Sequence, residues 1–396
     1  MPIRWSKLLI LPSMNTVYLD NAATTAVRPE VVEAMHSVLT ENFGNPSSTH
    51  AFGRASKAII ESTRKQIAQT LSCKPSEIIF TSGGTEADNC IIRSCVRDLG
   101  VRRIISSRIE HHAVLHAIEA MEEEYGVLLE YVELDSKGSV DLQSLKKLLA
   151  KDETDKTLVS LMHVNNEIGN MLELNEVADL CETYGAYFHS DTVQSIGHFR
   201  LNLTETPIHF ITAAAHKFHG PKGIGFMFVR SNVRLKSLIV GGAQERGLRA
   251  GTESIHDIAG LETAFRLAYE HLDQESAFIA KLKAHFISRI NALIPGAVFN
   301  GDSASANSTY TLVNLRLPLK GDKAAMLLFH LDLMGIACSQ GSACQSGSSK
   351  GSHVLDQIIP ADQQWMPSLR FSFSKYNTLE EVDRAVEVLA DYVTKD

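Results

Sequence analysis

Short apolar runs alternate with longer amphipathic stretches over residues 56–230 of this 396-residue chain. The short runs have the length and composition of β-strands, and the longer stretches repeat apolar residues at helical spacing. Such alternation predicts an α/β fold whose mostly parallel sheet is covered by helices on both faces. The predicted strands are residues 77–81, 103–107, 128–134, 158–163, 186–190, 208–213 and 224–229, and the clearest helices are residues 55–71, 113–125 and 174–184.

The pattern changes near residue 255, where the regular alternation ends. Short strands among long helical stretches predict a second, smaller α+β domain. We expect a large domain of about residues 26–255, and a small domain built from residues 1–25 together with 256–396. The elements predicted for the second domain are a helical stretch over 258–293, strands near 310–317 and 369–373, and a last helix over 379–394.

The composition narrows the classes of function. A formal net charge of −8, without a run of basic residues, argues against nucleic acid as the main ligand. No apolar stretch reaches the roughly 20 residues that a membrane helix needs, and the apolar patch after Arg4 is too short for a signal peptide. The six cysteines form no C-x-x-C pair, which favours free thiols in a reducing cytoplasm.

A lysine stands at the end of one predicted strand. Lys217 lies in the run AAAHKFHGPKG, residues 213–223, directly after the apolar segment 208–212. An ammonium group is costly to bury, so a lysine at this place is usually paired or covalently occupied. The favoured interpretation is a Schiff-base lysine for pyridoxal 5'-phosphate (PLP), which also needs an acidic partner for its ring nitrogen. The alternative is a surface lysine in a turn rich in glycine and proline.

A glycine pair follows the first strand of the predicted sheet, in the segment TSGGTEADN of residues 81–89. A strand, two glycines and a helix start offer free backbone N–H groups and the positive end of a helix dipole, which together suit a phosphate. The segment matches neither a P-loop nor the G-x-G-x-x-G pattern, so a single phosphate is favoured over a nucleotide. The alternative is an ordinary helix capped by Ser82 or Thr85.

Polar side chains after other predicted strands suit the same cofactor. Asp191 follows the strand 186–190, where a carboxylate can keep a pyridine nitrogen protonated, although a helix-capping role is the alternative. Gln194 and Asn166 are placed to hydrogen-bond the neighbouring ring oxygen. His111 follows another strand, and an imidazole can stack on a planar cofactor or shuttle a proton.

His111, His112 and His116 also invite a metal interpretation, because His112 and His116 have the i, i+4 spacing of helical metal ligands. No carboxylate completes a zincin-type motif at this place, so we predict no intrinsic metal site. His112 and His116 are instead expected on the surface of a helix.

Cys344 lies in residues 339–352, where six of the 14 residues are serine and three are glycine. Such a segment is expected to be mobile, and a thiol on it suits an attacking nucleophile. Cys338, on the apolar segment before it, is expected in the core, and a disulfide between the two would immobilise the segment. A second glycine-rich run over residues 241–253 carries two arginines and Thr252, and is either an anion-binding turn or an interdomain loop.

Together these residues closely resemble the cysteine desulfurases, which belong to the class-V aminotransferase family of PLP enzymes. The matching segments follow the family's order from about residue 17 to 390, which makes the resemblance specific. They are LDNAATT (19–25), FGNPSS (43–48), TSGGTEADN (81–89), residues 162–169, DTVQ (191–194), HKFHGPKG (216–223), residues 241–252, SAC (342–344) and SLRF (368–371).

The resemblance implies a PLP-dependent transferase of fold type I, like aspartate aminotransferase in architecture, that removes sulfur from L-cysteine. The products would be L-alanine and a persulfide on Cys344. The sulfur would then pass to an iron–sulfur scaffold or another acceptor protein, with Cys344 as a transient ligand of the cluster. The resemblance also implies a cytoplasmic homodimer. A selenocysteine lyase, or another class-V PLP enzyme, is the alternative.

The resemblance further implies a role for each candidate residue. These roles are the Schiff base for Lys217; sulfur acceptance for Cys344; phosphate binding for Gly84, Thr85, His216 and, from the second subunit, Thr252; the pyridine nitrogen for Asp191; the ring oxygen for Gln194 and Asn166; ring stacking and catalysis for His111; and substrate binding for Arg370 with Asn45. One position departs from the family, which usually has serine three residues before the lysine, where this chain has Ala214. We therefore expect one phosphate contact to be missing and cofactor retention to be weaker.

Overall fold

A seven-stranded sheet forms the centre of the larger part of the structure. The structure is a computed structural model, and it describes residues 16–151, 155–341 and 351–394. Its strands, in chain order, are β1 (Val17–Tyr18), β2 (Ile78–Thr81), β3 (Val101–Ser106), β4 (Leu128–Tyr131), β5 (Lys156–Ser160), β6 (Tyr187–Asp191), β7 (Phe210–Ala214), β8 (Gly225–Val229), β9 (Val298–Phe299), β10 (Leu312–Arg316), β11 (Ile336–Ala337) and β12 (Ser368–Ser372). Its helices are α1 (Pro29–Glu41), α2 (Ala51–Thr70), α3 (Gly84–Leu99), α4 (His112–Tyr125), α5 (Leu142–Leu149), α6 (Leu174–Thr183), α7 (Ile255–Glu270), α8 (Leu272–Leu293), α9 (Gly321–Ala325), α10 (Leu327–Leu333), α11 (Leu355–Ile358) and α12 (Leu379–Thr394).

The order of the strands in the large sheet is β2-β8-β7-β6-β5-β3-β4. All neighbours are parallel except β8, which runs antiparallel to both β2 and β7. This confirms the predicted mostly parallel sheet, and each of the seven strands overlaps a predicted one. Because β2, β3, β5, β6 and β7 point the same way, the loops after them meet at one edge of the sheet, which is where such sheets bind ligands.

Alternating side chains of these strands fill two cores, one on each face of the sheet. Ile211 of β7 and Phe228 of β8 belong to the core under α2, α6 and α7. Their neighbours Phe210 and Met227 belong to the core under α3 and α4. Because both faces are covered, β7 and β8 are buried along their whole length and appear in the sequence as continuous apolar runs.

The helical stretch predicted over residues 258–293 is two helices, α7 and α8, which are separated at His271. The break coincides with a change of core, because α7 buries Phe265 under the large sheet whereas α8 buries Phe286 in the smaller domain. Hydrophobic periodicity alone does not reveal which core a helix faces. The domain boundary near residue 255 stays a prediction, and the packing of α7 favours a boundary at the α7–α8 junction.

The smaller domain is built on a three-stranded antiparallel sheet in the order β12-β10-β9, beside the short parallel pair of β1 and β11. Val313 and Phe371 lie on its apolar face, in the core formed with α8 and α12. Asn314 and Arg370 pair across β10 and β12 and are buried on the opposite, polar face. The pleat thereby directs Arg370 toward the edge where the strands of the large sheet end.

The cysteines of the described residues are free thiols. Cys90, Cys95 and Cys181 are buried, whereas Cys73 and Cys338 are half-buried. Cys338 packs against the core of the smaller domain, as expected, but it is not fully enclosed. Over the same ranges of the chain, no helix is long and apolar enough to cross a membrane.

We predict that Phe286→Ala lowers the free energy of unfolding by about 3–5 kcal/mol, the usual cost of emptying an aromatic position in a core. Phe286 is fully buried, and its ring centroid lies 4.8 Å from that of Phe371 and 5.6 Å from that of Phe373. Phe278 on the same helix is 39% exposed, so the control Phe278→Ala should cost less than about 1 kcal/mol. Denaturant unfolding measures both variants, and equal losses would contradict this description of the core.

Candidate active site

A cavity of about 200 Å³ lies at the edge where the parallel strands end. Most of its lining comes from residues that follow those strands, and Arg370 reaches it from the smaller domain. Nine of the predicted site residues line it, namely Gly84, Thr85, His111, Asn166, Asp191, Gln194, His216, Lys217 and Arg370. The rest of the lining is Ala22, Ala23, Asp88, Met162, Val193 and Ala214.

Lys217 ends a short 3-10 turn, Ala215–Lys217, that directly follows β7. The turn brings the side chain from the end of a buried strand to the cavity, where Lys217 is half-buried. Its Nζ donates hydrogen bonds to the carbonyl oxygens of Ala22 and Ala23, at 2.7 and 2.9 Å. The alternative of a surface lysine in a turn therefore does not describe this residue.

The glycine pair after β2 forms the start of α3 at the cavity. The helix begins at Gly84, its N-cap Gly83 has a φ of 151°, and no side chain caps it. Capping by Ser82 or Thr85, the alternative interpretation, is therefore wrong. Backbone N–H groups without a capping side chain, at the positive end of a helix dipole, favour an anion. Glycine is needed at position 84, because a Cβ there would lie 2.7 Å from Cγ2 of Val193.

Asp191 is the last residue of β6 and is buried. Its Oδ1 accepts a hydrogen bond of 2.9 Å from the N–H group of Val193. Burial, and then the neighbouring Asp88, raise the pKa of Asp191 to about 6, against the opposing effect of His111. A cation beside such a carboxyl restores its charged form. Asp191 is therefore a suitable partner for a protonated ring nitrogen.

His111 is the N-cap of α4, and its Nδ1 accepts a hydrogen bond of 3.1 Å from the N–H group of Ala113. The proton of the neutral ring is therefore on Nε2. The pKa of His111 is lowered, mainly by burial and also by Lys217, although Asp191 acts in the opposite direction. His111 thus offers the cavity a neutral ring with one N–H donor.

Gln194 and His216 are fixed by contacts with the segment that precedes α1. Gln194 Nε2 donates a hydrogen bond of 2.9 Å to the carbonyl oxygen of Ala22. Nδ1 of His216 lies 3.2 Å from Oγ1 of Thr24. Burial is the largest of the effects that lower the pKa of His216 to about 4, so its ring is neutral and can bind an anion only by hydrogen bonding.

Arg370 is buried on β12 and holds two partners. Its Nη1 donates to the backbone oxygen of Asn166 at 2.8 Å, and its Nη2 donates to Oδ1 of Asp20 at 2.9 Å. Oγ of Ser339 donates to the same Asp20 oxygen at 2.7 Å. Nε is buried and has no hydrogen-bond partner among the described residues. The guanidinium therefore retains donors for a carboxylate, the group that it binds best.

Two of the predicted site residues that the structure describes do not line this cavity. Asn45 is exposed, and its Oδ1 accepts a hydrogen bond of 2.9 Å from the N–H group of Ser47. Thr252 is exposed in the segment before α7. Cys344 lies outside the described residues. The roles of all three stay predictions.

His116 is exposed on α4, as expected, whereas His112 is more enclosed than expected. His112 is half-buried, and its ring centroid lies 4.8 Å from that of His116 and 4.3 Å from that of His353. His353 is far away in the sequence, so helical spacing gave no sign of it. In the part of the chain that the structure describes, no three His, Cys, Asp or Glu side chains are placed to hold a metal ion.

Sequence reasoning missed several residues of the cavity. Asp88 is four residues after Gly84 on the same helix, so the i, i+4 spacing was an available signal. Ala22 and Ala23 contact Lys217 through their carbonyl oxygens, which every residue has, so their side chains gave no signal. Met162 follows β5 and resembles an ordinary core residue.

The family model described as Aminotransferase class-V matches residues 17–385. A protein named cysteine desulfurase IscS, from Dictyoglomus turgidum, is 39% identical over 381 residues, which are 96% of this chain and 95% of that protein. A solved structure titled NifS-like protein has a TM-score of 0.86 at 33% identity and covers 95% of this chain and 98% of its own. Another, titled SspA in complex with cysteine, has a TM-score of 0.79 at 30% identity, over 92% and 100% of the two chains.

These matches extend over nearly the whole chain, so they include both the large sheet and the smaller domain. They confirm the resemblance that the motifs indicated, together with the predicted α/β architecture of a fold-type I transferase. The segments that line the cavity all lie inside the matched region. The chain belongs to the class-V aminotransferase family.

Proposed function

We propose that this protein is a cysteine desulfurase, which removes the sulfur of L-cysteine, releases L-alanine and carries the sulfur as a persulfide on Cys344. The observation that carries the proposal is the cavity, where Lys217 and Asp191 line one space with an uncapped helix N-terminus and the buried Arg370. Support also comes from the relative named cysteine desulfurase, which is 39% identical over 96% of the chain.

PLP fits the residues around the cavity. The cofactor needs an anion site for its phosphate, an acid for its ring nitrogen and an amine for its aldehyde, and each is available. The residues that would hold it are Gly84, Thr85 and His216 at the phosphate, Asp191 at the ring nitrogen, Gln194 and Asn166 at the ring oxygen, His111 at the ring face and Lys217 at the aldehyde. When bound, PLP supplies an electron sink for the charge that develops on the substrate Cα.

Lys217 would hold the aldehyde of the cofactor and would be the amine nearest to the substrate. Its Nζ lies against the carbonyl oxygens of Ala22 and Ala23, which would hold the released ammonium close to the reacting carbon. Once neutral, this amine can take a proton from the substrate Cα. His111 holds one proton on Nε2, because Nδ1 is occupied by the N–H group of Ala113. That proton can stabilise charge on the substrate side of the cavity.

Arg370 orients the substrate by its carboxylate. Two of its nitrogens are fixed by Asn166 and Asp20, so the plane of the guanidinium is set before substrate binds. A planar guanidinium binds a carboxylate through two parallel hydrogen bonds, which fixes direction as well as position. The side chain of L-cysteine would then point in a defined direction.

Cys344 supplies the nucleophile. Its thiolate would form a bond to the substrate sulfur while the carbon–sulfur bond breaks, and the carbon that loses sulfur would take a proton. The return of a proton from Lys217 to Cα would then complete alanine. The persulfide then passes to an iron–sulfur scaffold or another acceptor protein. The cytoplasm stays the predicted location, on the basis of free thiols in the sequence.

We predict that Cys344→Ser reduces sulfide and alanine release from L-cysteine to background, because a hydroxyl is a far weaker nucleophile than a thiolate. Cys338→Ser is the matched control and should keep most of the activity. The Cys338 thiol is half-buried, and burial is the main cause that raises its pKa to about 12, so it stays protonated. Mass spectrometry after one turnover without reductant locates the sulfur. Extra sulfur on Cys338 or Cys181 instead of Cys344 would contradict the assignment of Cys344 as the sulfur acceptor.

A homodimer is the proposed functional unit. Thr252 would bind the phosphate of the partner site, which agrees with its exposed position outside the cavity of its own chain. The large domain also exposes apolar side chains, with Phe43 74%, Phe52 56% and Val240 88% exposed. The rings of Phe43 and Phe52 stack with centroids 5.3 Å apart. Exposed apolar groups of this kind favour burial against a second copy.

We predict that mixing Thr252→Ala protein with Lys217→Ala protein restores about a quarter of the wild-type sites. Random exchange makes half of the dimers mixed, and one of the two sites in each mixed dimer has both intact residues. Alanine release measures the recovery. As a control, exchange between differently tagged wild-type subunits must be demonstrated under the same conditions. Exchange without any recovery of activity would count against a shared site.

We predict that Ala214→Ser slows PLP loss on dialysis about 10- to 100-fold, since a hydrogen bond to a charged group contributes about 1.5–3 kcal/mol. Ala214 lines the cavity beside the start of α3. Its Cβ lies 3.9 Å from the position that a Cβ on Gly84 would take. Ala213→Ser is the control, because Ala213 belongs to the core on the other face of the sheet. Unchanged PLP retention in Ala214→Ser would show that no phosphate contact is missing.

A further inference from the structure

Asp88 and His189 form a buried pair next to the cavity. Asp88 lies on α3 one turn after Gly84, lines the cavity and is 1% exposed. His189 lies on β6 and is completely buried. Because side chains alternate along a strand, His189 points to the same face of the sheet as Asp191, two residues later. The pair is therefore positioned directly beside the group that would contact the ring nitrogen.

The two side chains face each other through one ring nitrogen and one carboxyl oxygen. Nε2 of His189 lies 3.4 Å from Oδ1 of Asp88, and neither atom has a hydrogen-bond partner among the described residues. Nδ1 of His189 is 2.8 Å from Oγ of Ser160, which pairs with His189 across β5 and β6. Two lone pairs facing at 3.4 Å would repel, so one proton must lie between Nε2 and Oδ1. Ser160, His189 and Asp88 thus form a chain of polar contacts that leads from β5 through β6 to α3.

We propose that Asp88, held in place by His189, is a positioning residue that adds a second acidic group behind Asp191 and so strengthens the hold of this site on the protonated ring nitrogen of PLP. The inference rests on the proposed PLP-dependent function. Asp191, and not Asp88, would contact the ring nitrogen directly. Asp88 acts at longer range, through its charge and through the orientation that the Ser160–His189 chain gives it.

The electrostatics of the cavity agree with this role. Burial raises the pKa of Asp88 to about 7, and burial and then Asp88 raise that of Asp191 to about 6. Glu110, one residue before His111, is also buried, and burial raises its pKa to about 8. Acids that are costly to ionise alone become charged when a cation arrives. A bound pyridinium would therefore favour the ionised form of Asp88 as well as that of Asp191. The two carboxylates would in turn stabilise the protonated pyridinium.

The same arrangement makes the stability of the cofactor-free protein depend on pH. The pKa of Asp88 in the folded protein, about 7, lies above its ordinary value of 3.8. The stability that neutral Asp88 provides is therefore complete below about pH 4 and is lost as the pH rises through about 7. Among the described residues, the titratable groups that interact with Asp88 are His189 and Asp191 on β6 and Glu110 before α4. His111 and Lys217 line the same cavity.

The test compares Asp88→Asn with wild type, both purified with bound PLP. Asparagine keeps the shape and removes the charge, so we expect PLP to be lost about tenfold faster on dialysis. We also expect the pH at which the absorbance of the bound cofactor changes to move down by about one unit, which corresponds to the same factor. After cofactor removal, the melting temperature of Asp88→Asn should fall less than that of wild type between about pH 5 and pH 8. Asp98→Asn, the same change at the far end of α3, is the control.

Ser160→Ala keeps the proposal testable if Asp88→Asn does not fold. It removes the hydrogen bond to Nδ1 of His189 and should shift PLP loss and the absorbance titration in the same direction, by a smaller amount. The inference would be overturned if Asp88→Asn lost PLP at the wild-type rate, showed the wild-type absorbance titration and still released alanine. If only Ser160→Ala folds, the same results in that variant would overturn it. A wild-type protein that neither retains PLP nor releases alanine would instead overturn the proposed function.

Discussion

Residues 19–25 form hydrogen bonds with both domains, and the geometry of the cavity depends on these hydrogen bonds. Toward the smaller domain, Asp20 pairs with Arg370 at 2.9 Å. Toward the large sheet, the carbonyl oxygen of Ala22 accepts a hydrogen bond from Lys217 at 2.7 Å. Arg370 on β12 and Lys217 after β7 lie in different domains, so this short segment fixes the distance between the two side chains. A displacement of the segment would change both ends of the site together.

Much of this arrangement could be predicted from the sequence, because it depends on local order along the chain. A strand that ends in Asp191, or in the turn that holds Lys217, is visible as an apolar run followed by a polar residue. The parallel sheet then brings such strand ends together without any further information. The same logic located the glycine pair at the start of α3, although not the fact that no side chain caps that helix.

What could not be predicted depends on pairs of residues that are distant in the sequence. Asp20 and Arg370 are 350 positions apart, and Asp88 meets His189 only because α3 packs against β6. The break between α7 and α8 was missed for a related reason, since it marks the passage from one core to another. Periodicity reports that a face is apolar and does not report what covers it.

The histidines of the cavity carry little positive charge, which determines how the cavity would bind an amino acid under the proposed function. Burial lowers the pKa of both His111 and His216, so near neutral pH they act as donors and acceptors of hydrogen bonds. Positive charge then comes from Lys217 and Arg370, which lie on different domains. Under the proposed function, the substrate carboxylate would be drawn toward Arg370, and its amine would approach Lys217, while Asp191 would be occupied by the ring nitrogen of the cofactor.

The hydrogen bond to Asp20 leaves donors of Arg370 unused, so under the proposed function a substrate carboxylate would not have to displace Asp20. A guanidinium has five N–H donors, of which one is used by the backbone oxygen of Asn166 and one by Asp20. Nε, which is buried and has no partner among the described residues, belongs to the remainder. Asp20 therefore orients the guanidinium and offsets part of its charge while donors remain for the incoming carboxylate. Under the proposed function, an arginine oriented in this way would bind the substrate carboxylate without first losing a partner, so the new hydrogen bonds would serve to orient the substrate.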